Sequence, residues 1–152
     1  MKKTVVGAVG AALVSIATLV APSAVAAPVG NFNLIIPDRV DFHTWLWTLS
    51  PCPNNLVVPQ PDCVWVSSIP QPVAKAFNYQ NEARLVDGHY SISVDDPFGL
   101  RCGNLYYGPT SPTHDVYTWD ATTLTGTLTS SFDAGCDGAP GTFTYPFSLV
   151  RM

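Results

Sequence analysis

Glu82-Ala83-Arg84-Leu85-Val86-Asp87-Gly88-His89-Tyr90-Ser91-Ile92-Ser93-Val94 is the stretch that decides the fold. Two strand-like runs, Glu82–Val86 and His89–Val94, flank the dipeptide Asp87-Gly88. Asp-Gly between such runs is the preferred centre of a type I′ hairpin turn. That turn needs positive φ at both central residues, and glycine meets it without steric cost. The chain therefore reverses on itself here, and the fold class is that of antiparallel β structure.

The same period of two recurs on both sides of this hairpin. Toward the N-terminus, Asp41–Leu49 is rich in aromatics and threonine, with Trp45, Trp47 and Leu49 on one face. Cys63–Ile69 reads as another strand, ended by Pro70 and Pro72. Ala74–Tyr79 reads as a third, with Lys75, Phe77 and Tyr79 on one side, and Asn31–Leu34 as a first strand or an extended arm. Toward the C-terminus, Asp95-Asp96-Pro97-Phe98-Gly99 is expected to break the hairpin's second strand, and Arg101–Tyr107 to form another carrying Cys102. Gly108–Pro112 reads as a loop, and His114–Trp119 alternates weakly. Thr122–Phe132 alternates cleanly, setting Leu124, Gly126, Leu128, Ser130 and Phe132 against Thr125, Thr127, Thr129 and Ser131. Asp133–Gly141 is a loop, and Phe143, Tyr145, Phe147 and Leu149 mark a final strand. No window after the first 26 residues shows a strong 3.6-residue apolar period, and fourteen prolines oppose long helices. The expectation is an all-β domain, a small antiparallel barrel or sandwich of about seven to nine strands, mostly a meander. Pairing of the last strand with an early one would protect the edges.

The first residues read as an address. Lys2 and Lys3 precede the uncharged, nearly all-apolar stretch Val5–Val20, and Ala24-Val25-Ala26 follows. This is the order of a secretory signal: basic, apolar, then a small-x-small cleavage site. The cut is expected between Ala26 and Ala27. At about 16 residues the apolar stretch is shorter than the ~20 that span a bilayer as a helix. The domain assignment is thus a cleaved leader, 1–26, and a single β domain, 27–152, with no transmembrane anchor after processing. Loss of the two lysines leaves five basic against eleven acidic residues, a net charge of -6. An acidic surface opposes non-specific nucleic-acid binding, which depends on basic groups displacing counterions. Localisation is expected to be extracellular or at the cell envelope.

Cys52, Cys63, Cys102 and Cys136 all lie in the exported part. An even number of cysteines in an oxidising compartment reads as two disulfides, with three pairings available. Cys52 and Cys63 flank a Pro/Asn-rich loop, so a bridge there would staple a hairpin base; Cys102 and Cys136 would close a longer loop. The paired-CxxC and finger patterns of zinc sites are absent, and no metal or cofactor is expected.

Candidate chemistry is sparse. His43, His89 and His114 are the only imidazoles, and no Gly-x-Ser-x-Gly elbow occurs. His114 and Asp115 are adjacent in a strand and so face opposite ways, while Asp41 and His43 share a face without an implied nucleophile. Asp95-Asp96-Pro97 reads as a turn rather than as half of a glycosidase carboxyl pair or a calcium loop. No catalytic residue is assigned. The aromatics are the binding candidates, with Trp47, Trp65 and Trp119 expected to line a pocket for a small apolar ligand. Three readings follow. The first is a non-enzymatic ligand- or partner-binding domain. The second is a structural or host-interaction protein without a pocket, engaging an envelope or host protein. Last comes an extracellular hydrolase, which a cleft bringing His114 or His43 within reach of Ser or Asp would revive.

Trp47-Thr48-Leu49-Ser50-Pro51-Cys52, Cys63-Val64, Ala83–Gly88, Tyr117-Thr118-Trp119-Asp120, Thr123–Thr127 and Phe147–Arg151 together give the chain a resemblance. It resembles small secreted proteins of mycobacteria and related actinobacteria, of uncharacterised function, over about two-thirds of its length. The resemblance implies export and a disulfide-bonded β domain, and it adds no activity.

Overall fold

The computed structural model describes residues 27–37, 39, 44–53, 62–71, 77–104 and 107–152. The leader 1–26, with Ala24 and Ala26, lies outside them, as do Asp41, His43, Tyr106 and the first half of the strand expected over Ala74–Tyr79. The described chain is a closed barrel of eight antiparallel strands in sequence order. They are β1 (Gly30–Ile35), β2 (Thr44–Pro51), β3 (Cys63–Gln71), β4 (Gln80–Val86), β5 (His89–Arg101), β6 (Thr110–Asp120), β7 (Thr125–Phe132) and β8 (Gly141–Arg151). Each pairs with the next, and β8 returns to β1 through Phe32↔Arg151 to Ile35↔Ser148. Closure removes the sheet edges on which another chain could template.

The local turn chemistry explains the hairpins. Asp87 (φ 49°) and Gly88 (φ 81°) both adopt positive φ between the paired Val86 and His89, the geometry of a type I′ turn. Between β6 and β7, Asp120 Oδ1 accepts the backbone N–H groups of Thr123 (2.7 Å) and Thr122 (2.8 Å). These bonds hold its carboxyl below the usual carboxylate range. Cys52–Cys63 and Cys102–Cys136 are the two disulfides. Such bonds persist in oxidising surroundings.

Several element boundaries differ from the sequence reading. β3 continues through Pro70, which stands opposite Trp45 on β2. Among the described residues the β3–β4 register ends at Ser67↔Gln80, with one further bond from the Ser68 N–H to the Tyr79 carbonyl, and Pro70 is paired with β2 alone, where proline is tolerated. Phe77–Tyr79 is not strand; the strand begins at Gln80. Asp95–Gly99 does not interrupt β5. A register shift between Asp96 and Leu100 absorbs the irregularity as a bulge, and β5 ends at Arg101, where a further strand was expected to begin. At the same bulge Asp96 Oδ1 accepts the Phe98 N–H at 2.8 Å, the turn-forming bond expected of Asp before Pro. β6 starts at Thr110, inside the expected loop, and β7 starts at Thr125 rather than Thr122.

Eight strands leave an interior that side chains can fill, and here large aromatics fill it. Trp45, Trp47, Tyr90, Tyr117 and Trp119 are all essentially inaccessible to solvent. Trp47 sits at the centre, edge-on to Tyr117 (5.2 Å between centroids) and Trp119 (5.5 Å). Its Nε1–H donates to the Tyr79 hydroxyl at 2.9 Å. Toward the end carrying the β5–β6 and β7–β8 loops, the filling turns polar. Buried Asp115 accepts from Ser130 Oγ at 2.5 Å and lies 3.8 Å from Arg39 Nη1. The Arg39 guanidinium stands 5.8 Å from the ring centroids of Trp45 and of Tyr145, and Nη2 donates to the Gly99 carbonyl.

Burial raises the hydroxyl pKa of both Tyr79 and Tyr117 far above the ordinary value of 10.0. Below pH 10 both rings are neutral in folded and unfolded chains alike, and their contribution to stability is constant. Above it the unfolded chain releases protons that the folded barrel retains, so stability falls as pH rises. Each ring adds a slope of about 1.4 kcal/mol per pH unit until its folded pKa is reached. An alkaline titration followed by phenolate absorbance is expected to show these two rings ionising only together with loss of the fold; ionisation of both before unfolding would contradict it.

Candidate functional site

The three tryptophans do not form the expected pocket. Trp47 and Trp119 are fully buried and pack on each other, and Tyr90 stacks on Trp119 at 5.5 Å. Trp65 is half-buried between the buried Val64 and Val66, so strand alternation puts it on the outer face. Two of the three therefore fill the barrel and the third lies outside it.

A concavity lies on the flank of the barrel, near the end that carries the long loops. It measures about 750 Å³, opens broadly to solvent, and is lined from β5, β6, β7, the 133–140 loop and β8. Three local features build it. The bulge in β5 bends that strand, and Gly99 lets it pass close to β6: a Cβ there would come 1.7 Å from Thr113 Oγ1. The Phe132 ring covers Gly141, where a Cβ would meet Phe132 Cζ at 2.7 Å. The Cys102–Cys136 bond ties the chain leaving β5 to the β7–β8 loop, so the two walls are covalently joined across the start of β6.

The cleft is acidic and edged with apolar surface. Asp95 and Asp133 are exposed, and Asp96 is buried. Pro97, Pro112, Phe132 and Pro140 supply the apolar walls. Thr113 Oγ1 is buried without a hydrogen-bond partner among the described residues.

One row of side chains crosses this face. Asp95 on β5 stands opposite His114 on β6, and His114 stands opposite Ser131 on β7. His114 Nδ1 lies 2.7 Å from Asp95 Oδ1, and Ser131 Oγ donates to the His114 carbonyl at 3.2 Å. The side chains of His114 and Asp95 are 53% and 91% exposed, whereas Asp115, next in sequence to His114, is buried inside the barrel. The expected opposition of His114 and Asp115 is therefore present. The carboxylate that His114 does meet comes from another strand, and sequence adjacency could not identify it. The available signal was the alternation of β7, which already separated Ser131 from the apolar set of Leu128 and Phe132.

Among the described residues, one other cluster has metal-ligand elements: Cys52, Cys63 and Glu82, with ligand atoms within 4.8 Å of one another. Its sulfurs are bonded to each other, which leaves one carboxylate and no thiolate. No described helix is long and apolar enough to cross a membrane. Compared with known protein families, curated proteins and solved structures, the chain finds no match.

Proposed function

We propose that this chain is an exported binding protein of the cell envelope or extracellular space, and that it takes its ligand or partner in the lateral cleft rather than inside the barrel. The observation that carries the reading is the contrast between the two places. The interior is filled by rings in contact, while the flank holds a concavity of about 750 Å³ whose walls are cross-linked by a disulfide. The leader-like N-terminus, the disulfides and the resemblance to small secreted actinobacterial proteins support export. Asp95 and Asp133 make the cleft repel anions, so the ligand is neutral or cationic, with an apolar part that rests on Phe132 and the prolines.

Native mass spectrometry on protein from the culture fluid of its producer tests this. The expected species begins at Ala27, lacks four hydrogens, and carries an added mass that is lost on denaturation. Thr142→Trp, which fills the cleft from β8, is expected to abolish the added mass with the thermal midpoint unchanged. A bare wild-type mass, or a ligand retained equally by Thr142→Trp, would move the reading to a structural or host-interaction role without a pocket.

A further inference from the structure

We propose that Asp95, His114 and Ser131 form an acyl-transfer relay along the lateral cleft, with Ser131 as nucleophile, His114 as general base and Asp95 as its positioning residue. This rests on the cleft being the ligand-binding face and adds a reaction to it.

The observations are geometric. Three residue types that make a nucleophile–base–carboxylate set stand in one row, each directly opposite the next on adjacent antiparallel strands. Directly opposed residues hold their Cβ atoms about 4.5–5.5 Å apart, which is the reach of one hydrogen-bonded side-chain pair. The first bond is formed: the carboxylate of Asp95 and Nδ1 of His114 are 2.7 Å apart. With the proton on Nδ1 donated to that carboxylate, Nε2 carries the lone pair. Ser131 Oγ rests on the His114 carbonyl at 3.2 Å, and rotation about its own Cα–Cβ bond is the motion that aims it at the ring. All three line the same cleft. None serves the core; that task falls to Asp115 and Ser130, their inward-facing neighbours.

The substrate class follows from the walls. A neutral or cationic carboxylic ester places its apolar part along Phe132, while Asp95 and Asp133 disfavour anionic esters. Ser131 Oγ attacks the carbonyl carbon, and its proton passes to His114 Nε2. The tetrahedral adduct collapses, the C–O bond to the alcohol breaks, and the leaving oxygen takes the proton from Nε2. Water repeats the sequence on the acyl-serine and releases the acid. His114 and Ser131 both lie on strands with ladder partners on each side, so their backbone N–H groups are committed to the sheet and offer no oxyanion donors. The relay is therefore slow and acts on activated acyl groups.

A fluorophosphonate carrying an alkyl chain tests the relay on the intact, oxidised chain. Ser131 Oγ displaces fluoride at phosphorus while His114 takes the proton, and intact-mass and peptide mapping read the adduct. The expected result is one adduct, on Ser131, absent in Ser131→Ala and retained in Ser93→Ala on the same outer surface. His114→Gln is expected to slow labelling by about a hundredfold. Asp95→Asn should slow it as well, Asp95→Glu should restore part of the rate, and the thermal midpoint should stay unchanged in both because the side chain is 91% exposed. No adduct on folded protein, an adduct elsewhere, or a rate indifferent to His114→Gln would overturn the relay. The dependence on probe concentration separates the two readings. A saturating rate supports both binding and reaction. A linear, His114-dependent rate keeps the relay and counts against cleft binding. Non-covalent retention of the probe without an adduct keeps cleft binding and overturns the relay.

Discussion

Reduction of both disulfides is expected to lower the unfolding free energy by about 6–7 kcal/mol. Each bond acts chiefly on the unfolded chain by closing a loop, and the closure term grows with loop length. The separations of 11 and 34 residues correspond to about 3 kcal/mol for Cys52–Cys63 and about 4 kcal/mol for Cys102–Cys136. That sum is comparable with the whole stability of a domain of this size, on the order of 5–15 kcal/mol, so the reduced chain should sit close to its unfolding threshold. Urea unfolding of oxidised and reduced protein, followed by tryptophan fluorescence, measures the difference. Removing one pair at a time (Cys52→Ala with Cys63→Ala, or Cys102→Ala with Cys136→Ala) should rank the longer loop as the costlier loss. Coincident midpoints for oxidised and reduced protein would contradict the ledger.

Truncating the central ring should cost about as much as losing the longer-loop disulfide. Trp47→Ala is expected to destabilise the barrel by about 4 kcal/mol. Trp47 is fully buried and meets Tyr117, Trp119 and Phe147 edge-on. It also donates to Tyr79, so truncation leaves a cavity and deprives the buried Tyr79 oxygen of a donor. The eight strands around it are tied in a closed ladder and have little room to collapse into the gap. Trp47→Phe retains part of the packing and should recover part of the loss. Trp65→Ala removes the same side chain from the outer face and should cost no more than about 1 kcal/mol. Denaturant midpoints at constant slope read both. Equal losses at positions 47 and 65 would show that the two rings contribute alike and contradict the assignment of inner and outer faces.

Much of the barrel is legible in short stretches of sequence. Asp87-Gly88 specifies a reversal because two consecutive positive φ angles suit those residues, and the structure places 49° and 81° there. Alternation in Trp45–Leu49, Thr125–Phe132 and Phe143–Leu149 marks strands because successive side chains point to opposite faces. Spacing and loop composition favour one of the three cysteine pairings, and both of its bonds are present. These are local properties, in which a residue's conformational preference is felt within two or three positions.

What only the tertiary structure decides is which strand residue stands beside which. Asp95 and His114 are 19 residues apart and His114 and Ser131 are 17 apart; nothing near any of them in sequence names the others. Their row exists because β5, β6 and β7 are in one register, and a slip of one residue in any strand would send its member of the row to the opposite face. The aromatic reading fails for the same reason. Composition shows that Trp47, Trp65 and Trp119 are present, but the faces they occupy are set by the phase of each strand against a closed barrel. Sequence alone thus marks the all-β class, the Asp87-Gly88 turn and most of the strands, and favours one pairing of the cysteines. Register and closure, which are sums over many weak pairings between distant segments, decide where chemistry is possible.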